Sequence, residues 1–258
     1  MPTRTSYLQG TPNWVDLQST DQDGAKSFYG DLFGWTFDDQ PIPDGGGVYS
    51  MAMKGDGVVA AIGGQPPDMT AQNMPSMWNT YIAVDDVDAA ATRVDAAGGK
   101  ILMPPFDVMQ VGRMTFVADP TGAPIALWQA NSHIGATLVN EAGTISWNEL
   151  QTDDVQAAAN FYAAVLGITT EAQPGEMPYL TFKVDGRDVA GITVAQAPGT
   201  PPSWQVYFAV EDTAAAIAKA EKLGGTTIAG PIDTPFGAMA VLRDPQGGFF
   251  NVIAVLAT

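Results

Sequence analysis

Apolar and polar side chains alternate at the start of the chain and then change to helical spacing. The stretch WVDLQST over residues 14–20 alternates in the manner of a half-buried strand. Asp21 follows at a helix N-cap position, and Gly34 stands at a helix stop position. Between them apolar side chains recur on one helical face, namely Ala25, Phe28, Tyr29, Leu32 and Phe33. The pattern therefore predicts a strand followed by an amphipathic helix.

Three strand-like stretches follow this helix, and the whole pattern then starts again. The three stretches read WTFDD, GVYSMAMKG and GVVAAIGG. NTYIAV then predicts a strand, Asp86 a helix cap, and VDAAATRVDAAGG a helix that ends in glycines. KILMP, GRMTFVAD and APIALWQA are again strand-like. The first half of the chain is therefore predicted to contain two β-α-β-β-β modules.

The second half of the chain repeats the landmarks of the first half in the same order. NWVDLQ at 13–18 corresponds to SWNELQ at 146–151, and TYIAVDD at 80–86 corresponds to VYFAVED at 206–212. The turn DPTG at 119–122 corresponds to DPQG at 244–247, and the offset drifts only from 133 to 125. Small loop deletions between two copies explain this drift. We predict two domains, residues 1–130 and 145–258, joined by a linker over residues 131–144.

The composition disfavours several classes of partner and site. The chain has 258 residues with 11 Lys and Arg, 28 Asp and Glu and a net charge of −17, which disfavours binding to nucleic acid or anionic lipid. One His and no Cys exclude disulfides, cysteine nucleophiles and any site that needs two histidines in each domain. The N-terminal stretch lacks the apolar core of a signal peptide, so we expect a cytoplasmic protein.

The module order and its motifs resemble the vicinal oxygen chelate superfamily, which includes glyoxalase I, extradiol dioxygenases and the bleomycin and fosfomycin resistance proteins. The resemblance rests on TDQDGAKSFYGDLFGW and TDDVQAAANFYAAVLGI, on YIAVDDVDAA and YFAVEDTAAA, and on the two DPxG turns. It covers nearly the whole chain, and the chain is most similar to a subgroup of tandem actinobacterial proteins, some labelled glyoxalase-like or hydroxylase. It implies an α+β fold of two tandem glyoxalase-like domains, in which each pair of modules bends its strands into a cup with the helices outside.

The same resemblance places metal ligands on the first and last strands of each module. The first-strand positions hold Trp14, Asn79, Trp147 and Gln205, and the last-strand positions fall at or near Ala61, Ala126, Gly191 and Asn251. None is His, Glu or Asp, and amide oxygens are weak ligands without carboxylates beside them. We therefore expect no metal ion and no other cofactor, whereas glyoxalase and extradiol chemistry need the ion.

The first strand of each half carries an aromatic residue, an acid and an amide on one face, because strand side chains alternate. These residues are Trp14, Asp16 and Gln18 in the first half, and Trp147, Glu149 and Gln151 in the second. Pseudo-symmetry places Tyr81 opposite Asp16 and Tyr207 opposite Glu149. Two interpretations are open. In the first, the acid and the phenol form a hydrogen bond with each other and hold the two modules together. In the second, they bind a polar ligand. In the second case, Asp16 and Glu149 are candidate catalytic acid–base groups.

Other residues are weaker candidates. Tyr49 and Tyr179 recur in strands that could line the cups, and Arg113 is expected at a cup rim, where it could meet an acidic ligand. Trp78 and Trp204 are more typical of core residues than of ligand contacts. His133 is expected to bond backbone between the halves, with a catalytic base as the alternative. The complete set of predicted ligand-binding residues is Trp14, Gln18, Tyr49, Asn79, Tyr81, Arg113, Trp147, Gln151, Tyr179, Gln205, Tyr207 and Asn251.

These features predict a metal-independent protein that binds a small aromatic or amphipathic molecule in its cups, as bleomycin-type resistance members do. The alternative is an enzyme of the same superfamily: a glyoxalase-like lyase, or a metal-free isomerase, cyclase or oxygenase-associated tailoring enzyme that uses Asp16 and Glu149. The expected partner is a small molecule, with neither nucleic acid nor membrane. We expect a monomer with internal pseudo-symmetry, with a homodimer as the alternative.

Overall fold

The first half of the chain forms two β-α-β-β-β modules in succession. The computed structural model describes residues 3–175, 177–195 and 199–255, and the side chains of Asp44 and Val255 lie outside this description. The first module comprises β1 (Pro12–Ser19), α1 (Gln22–Phe33), β2 (Thr36–Pro41), β3 (Val48–Lys54) and β4 (Gly57–Gly64). A short helix α2 (Pro67–Ala71) precedes the second module, which comprises β5 (Met77–Ala83), α3 (Val87–Val94), β6 (Lys100–Val108), β7 (Gly112–Ala118) and β8 (Pro124–Ala130).

The second half repeats this order. The third module comprises β9 (Ile145–Thr152), α4 (Val155–Leu166), β10 (Thr169–Ala172), β11 (Tyr179–Val184) and β12 (Arg187–Val194). The fourth comprises β13 (Ser203–Ala209), α5 (Thr213–Lys222), β14 (Thr226–Thr234), β15 (Gly237–Arg243) and β16 (Phe249–Val255). No helix within the described ranges is both long and apolar enough to cross a bilayer.

Each half folds its two modules into one eight-stranded sheet. The strand order is β2-β3-β4-β1-β5-β8-β7-β6 in the first sheet and β10-β11-β12-β9-β13-β16-β15-β14 in the second. The first strands of the two modules pair antiparallel at the centre, and each has the last strand of its own module as a parallel neighbour. This arrangement confirms the α+β fold of two tandem glyoxalase-like domains.

The helix boundaries follow the capping pattern of the sequence. Each of the four longer helices begins after an aspartate whose carboxylate accepts a hydrogen bond from the backbone N–H three residues on, namely Asp21, Asp86, Asp154 and Asp212. The helices α1 and α4 end at Gly34 and Gly167, which adopt left-handed φ values of 73° and 70°. These helices therefore begin and end at the residues that the capping pattern predicts.

The helix-side faces of the two sheets share their apolar cores. Phe33 of the first module lies 5.0 Å from Phe208 of the fourth, measured between ring centroids. A second core joins apolar residues of the second module to those of the third. Trp78 and Trp204 lie in these two cores, because alternation directs them away from the cup-facing residues next to them. Both tryptophans therefore have the structural role expected for large aromatics.

The segment between the two sheets runs along the flank of the first domain. The backbone N–H of Ala136 donates to the carbonyl of Asn13 at 2.8 Å, and that of Thr137 donates to the carbonyl of Val58 at 2.8 Å. Residues 131–144 contain no helix or strand. This segment therefore covers the edge of the first cup next to Trp14.

Candidate functional site

Asp16 lies at the floor of the first cup and accepts three side-chain hydrogen bonds. Tyr81 donates its hydroxyl to Oδ2 at 2.7 Å, and Tyr49 donates to the same oxygen at 2.9 Å. Asn79 donates its amide to Oδ1 at 2.8 Å. The Trp14 indole N–H in turn donates to the Tyr49 hydroxyl at 3.0 Å. The sheet thus joins five of the predicted site residues in one network.

Strand register explains why these distant residues meet. In the central β1–β5 pair, Asp16 lies directly opposite Asn79, and Trp14 lies opposite Tyr81. Tyr49 reaches the network from β3, on the far side of Ala61 in β4. In the β3–β4 pair Tyr49 lies opposite Gly63, and its hydroxyl extends across β4 to Asp16. Pseudo-symmetry predicted Tyr81 opposite Asp16, whereas the register places Tyr81 opposite Trp14; its hydroxyl nevertheless reaches the Asp16 carboxylate.

Burial changes the acid–base properties of this network. Desolvation raises the pKa of Asp16 above its usual value, although the hydrogen bonds from Asn79, Tyr81 and Tyr49 act in the opposite direction. Desolvation and the neighbouring carboxylate raise the pKa of both tyrosines well above the usual value. The phenols therefore remain hydrogen-bond donors at neutral pH.

The walls of the first cup are built from methionine and aromatic side chains. Strand register directs them to the face of Asp16, and they are Met51, Met53, Met77, Met103, Phe106, Met114, Phe116 and Trp128. Met114 and Trp128 are buried, whereas Met51, Met77 and Phe116 are half-buried. At the rim, Met103 is 45% exposed and Phe106 is 36% exposed. Apolar surface therefore continues from the floor to the mouth of the cup.

His133 lies in this cup, which sequence analysis did not predict. Its ring packs edge-on against Trp14 at 4.6 Å and against Trp128 at 5.7 Å, between centroids. The Trp128 indole N–H donates to the His133 carbonyl at 2.8 Å. The imidazole Nε2 is buried and has no hydrogen-bond partner among the described residues, and burial lowers the His133 pKa to about 4. A residue in an irregular segment carries no periodicity that could have revealed this position.

The second cup repeats the network around Glu149. Tyr207 donates its hydroxyl to Glu149 Oε1 at 3.0 Å, and the Trp147 indole N–H donates to the Tyr179 hydroxyl at 3.0 Å. Hydrogen bonds from Tyr207, Tyr179 and Gln151 lower the Glu149 pKa, but desolvation outweighs them and raises it. A side chain at Gly191 would collide with the Tyr179 hydroxyl, so the glycine permits this contact.

The second cup differs from the first in its walls. At the positions of Met51, Met53 and Met77 it has Thr181, Lys183 and Ser203, and at the position of Ala126 it has Asn251. Its apolar wall residues are Ile232, Met239, Val241 and Ile253. The second cup is therefore the more polar of the two.

The remaining predicted site residues lie outside the two carboxylate networks. Gln18 and Gln205 share the cup faces, but the Gln205 amide donates to Ser203 Oγ at 2.9 Å. Asn251 is buried, and its amide donates to the Val206 carbonyl at 3.2 Å. Their predicted contact with a ligand remains a prediction.

Arg113 does not lie at the cup rim as expected, because its side chain points away from the cup, and its contact with a ligand stays a prediction. It lies within β7, and its neighbours along the strand include the cup-facing Met114, so alternation directs Arg113 to the helix side. Its guanidinium forms ion pairs with Asp88 of α3 at 2.8 Å and with Asp107 of β6 at 3.0 Å. These two carboxylates satisfy its charge.

The residues present do not fit a divalent metal ion. In the first cup the four ligand positions implied by the resemblance hold an indole, an amide and two alanines, and only the amide can coordinate a hard cation. Asp16, the nearest carboxylate, is already bonded to Tyr49, Tyr81 and Asn79. The second cup offers Glu149 with amides but no histidine. Within the described residues, no group of three His, Cys, Asp or Glu side chains could hold an ion.

The arrangement can support two kinds of chemistry. A fixed polar floor inside apolar walls can orient a small molecule that has one polar edge. A carboxyl group with a raised pKa, held next to two phenols, can also exchange a proton with a bound ligand. Asp16 Oδ1 accepts one hydrogen bond from the described residues, so it has the capacity to accept another.

Comparison with known proteins agrees with this architecture. The family model of the Glyoxalase/Bleomycin resistance protein/Dioxygenase superfamily matches residues 11–127 and 144–252. A protein of Mycobacterium tuberculosis named "Putative glyoxylase CFP32" is 54% identical over 257 residues, which cover 98% of each chain. The anthracycline biosynthesis protein DauV of Streptomyces sp. strain C5 is 36% identical over 261 residues, covering 96% of this chain and 94% of its own.

A solved structure shares the fold at low sequence identity. The Mn(II)-bound glyoxalase from Novosphingobium aromaticivorans has a TM-score of 0.66 and 17% identity, with 97% of this chain and 84% of that chain covered. The family match spans both sheets described above. The chain belongs to the glyoxalase/bleomycin resistance protein/dioxygenase superfamily, as a member with two tandem domains.

Proposed function

We propose that the first cup binds a small aromatic or amphipathic molecule without a metal ion. The observation that carries this proposal is the cup-facing apolar wall that is left partly exposed above a fixed Asp16–tyrosine floor. Met51, Met77 and Phe116 are half-buried, and Met103 and Phe106 remain exposed at the rim. An apolar concave surface of this kind gains free energy when a ligand covers it.

The hydrogen bonds at the floor favour a ligand with one polar edge. Each tyrosine hydroxyl has a single proton, and both Tyr49 and Tyr81 donate theirs to Asp16. The aromatic rings are therefore held in place before a ligand arrives, which lowers the entropy lost on binding. A ligand hydroxyl or N–H can donate to the remaining acceptor position of Asp16, while its ring system contacts the methionines, which adapt to different shapes.

The relatives support an aromatic ligand. DauV is named for the biosynthesis of anthracyclines, which contain fused aromatic rings, and this chain is similar to it over almost its whole length. A hydroxylated fused-ring aromatic molecule would present flat apolar faces to the walls and a hydroxyl edge to Asp16. We therefore assign this ligand class to the first cup.

A titration with 1,8-dihydroxyanthraquinone tests this assignment. The protein is treated with EDTA, and binding is followed by isothermal calorimetry. We expect saturable binding that EDTA does not change. The double variant Met51→Ala/Phe116→Ala should weaken binding by about tenfold or more, because each substitution removes apolar contact.

The matched control variant is Thr181→Ala/Val241→Ala, which changes the same two positions of the second cup. It should leave the affinity within about twofold, because a site in the first cup loses no contact. Absence of saturable binding, or equal losses in the two double variants, would overturn the proposal.

A second candidate function is acid–base catalysis by Asp16 or Glu149. Burial raises the pKa of both carboxyl groups, which brings them towards the range in which an acid or base works at neutral pH. Mass spectrometry of the recovered ligand separates the two functions. Unchanged ligand supports binding alone, whereas a product that disappears in Asp16→Asn/Glu149→Gln supports catalysis.

A further inference from the structure

A groove lies between the N-terminal segment and the start of β9. It contains a cavity of about 240 Å³ lined by residues of both domains, including Arg4, Tyr7, Trp147 and Val189. An adjoining cleft of about 420 Å³ shares Arg4 with this cavity and adds Arg187. We call this combined space the β9 groove. It lies on the flank of the second cup, outside the first.

In the first domain, the corresponding flank is covered. The linker bonds the backbone of Asn13 through Ala136 and the backbone of Val58 through Thr137. The strand registers make Ser146 and Asp188 the counterparts of Asn13 and Val58 in the second domain. Within the described ranges, no segment outside the sheet bonds the backbone of Ser146 or Asp188. In the part of the chain that the structure describes, the β9 groove is therefore the counterpart of a linker-covered surface, without a linker bonded to it.

Two guanidinium groups border the β9 groove. Arg4 and Arg187 are exposed and form no ion pair with a carboxylate among the described residues. The one carboxylate that lines the cavity, Asp188, is paired with Lys183 at 2.9 Å. In a chain with a net charge of −17, two arginines without a carboxylate partner at one opening form a local site for an anion. Their planar donors match carboxylate oxygens in particular.

The cavity of the groove is lined by aromatic and aliphatic side chains together with polar ones. The Tyr7 hydroxyl donates to the carbonyl of Ala136 at 2.6 Å, which fixes its ring in the groove wall. The Arg4 guanidinium carbon lies 5.9 Å from the centroid of this ring. Trp147, Ile145 and Val189 line the same cavity. A cationic opening next to a cavity with aromatic walls and polar groups matches a ligand with an anionic head and a ring system.

We infer that the β9 groove binds a small amphipathic carboxylate. The carboxylate is held by Arg4 and Arg187, and the apolar body packs against Tyr7 and Trp147. The site is independent of the function proposed for the first cup, since none of its lining residues lies in that cup. Trp147 also donates to Tyr179, which bonds Glu149, so occupation of the groove is connected to the floor of the second cup.

The probe for this inference is 1-naphthoate, with 1-naphthalenemethanol as the neutral molecule of the same ring system. Both are titrated into the full chain, and tryptophan fluorescence and calorimetry are recorded. We expect naphthoate to bind about tenfold or more tightly than the alcohol, because charge-assisted hydrogen bonds are the stronger kind. Trp147→Phe should remove most of the fluorescence change without removing the calorimetric signal.

The variant Arg4→Gln/Arg187→Gln should reduce naphthoate binding to the level of the alcohol. The matched control is Lys222→Gln/Arg243→Gln, which removes two exposed positive charges at the other end of the second domain. It should leave naphthoate binding within about twofold, because exposed charges beyond a Debye length are screened.

Three results would overturn the inference: equal affinity for the two probes, unchanged naphthoate binding in Arg4→Gln/Arg187→Gln, or equal losses in that variant and its control. The first-cup variant Met51→Ala/Phe116→Ala distinguishes the two proposals. It should leave naphthoate binding to the groove unchanged, and a large loss there would place the naphthoate site in the first cup instead.

Discussion

The hydroxyl of Tyr29 in α1 donates a 2.8 Å hydrogen bond to Asp244, 215 residues further along the chain. Tyr162 of α4 forms the corresponding bond with Asp119, at 3.2 Å. Each aspartate begins a DPxG turn, so a turn of each domain is tied to the first helix of the other. Trp78 donates its indole N–H to the Tyr29 hydroxyl at 3.0 Å, and these groups are buried. The two repeats therefore hold each other through reciprocal buried polar contacts.

Removal of this hydroxyl is predicted to destabilise the protein. Tyr29→Phe leaves Asp244 and the Trp78 indole N–H without their partner in an apolar core. We expect a loss of about 1–3 kcal/mol in the free energy of unfolding, measured by urea denaturation. Tyr162→Phe should lose a similar amount, since its surroundings are equivalent. An unchanged urea midpoint in both variants would contradict the structural role of these bonds.

The carboxyl group of Asp16 is predicted to make stability fall as pH rises. Burial raises its pKa in the folded state, so the folded protein binds this proton more tightly than the unfolded chain does. The contribution is therefore fully present below the unfolded pKa of about 3.9 and is lost as pH rises through the folded pKa. The stability of the wild type relative to Asp16→Asn should accordingly decrease as pH rises above about pH 4.

Urea denaturation across this pH range measures the difference. Asp56→Asn is the control, because it removes one carboxylate at an exposed turn. Its stability relative to the wild type should change little with pH. A difference between wild type and Asp16→Asn that stays constant would show that the carboxyl group does not titrate differently in the folded state.

His133 is predicted to make stability rise with pH, which is the opposite of the effect of Asp16. Burial lowers its pKa from 6.5 to about 4, so the folded state disfavours the charged imidazole. The neutral ring contributes its full stability above pH 6.5, and this contribution is lost as pH falls towards about 4. The shift corresponds to roughly 3 kcal/mol at most.

Thermal or urea unfolding of His133→Phe tests this prediction. The variant retains an aromatic ring between Trp14 and Trp128 but cannot be protonated. Between about pH 6.5 and pH 4.5, it should lose less stability than the wild type. If the two proteins respond to pH in parallel, His133 is more exposed to water than the structure indicates.

The difference between the two cup walls leads to an exchange experiment that rests on the proposed function. Met51→Thr/Met77→Ser gives the first cup the residues of the second, and Thr181→Met/Ser203→Met makes the reverse change. We expect the first variant to bind 1,8-dihydroxyanthraquinone about tenfold more weakly, because it removes apolar contact area. The reverse variant should bind a second molecule, seen as an increased stoichiometry in calorimetry. Unchanged affinity and stoichiometry in both variants would argue against wall composition as the source of specificity.

Much of the fold follows from local patterns in the sequence. The alternation in WVDLQST, the capping residues Asp21 and Gly34, and the recurrence of the same landmarks in the second half predicted the modules correctly. These signals are local because hydrogen bonding within a helix and alternation along a strand depend on near neighbours. The same alternation placed Asp16 on the cup face, and pseudo-symmetry between the modules brought Tyr81 near it.

The rest of the candidate site depends on contacts between distant segments. Arg113 was predicted to lie at a cup rim, but its side chain lies beside Asp88 of α3. His133 reaches the first cup only because the linker bonds the backbone at Asn13 and Val58. The spacing of residues along the chain predicts neither contact, because the two partners come from different elements.

The sequence by itself determined four modules, two tandem domains and a carboxylate on the cup face of each domain, because repetition and strand periodicity are properties of the order of residues. Only the tertiary structure decided which polar groups are buried, which of them are hydrogen-bonded within the protein, and which could still bond a ligand. The third-strand tyrosines Tyr49 and Tyr179 complete the two carboxylate networks, and Arg4 and Arg187 line one cleft although they are far apart in the sequence. Such relationships arise when sheets bend and domains pack, since burial and electrostatics depend on distances in space.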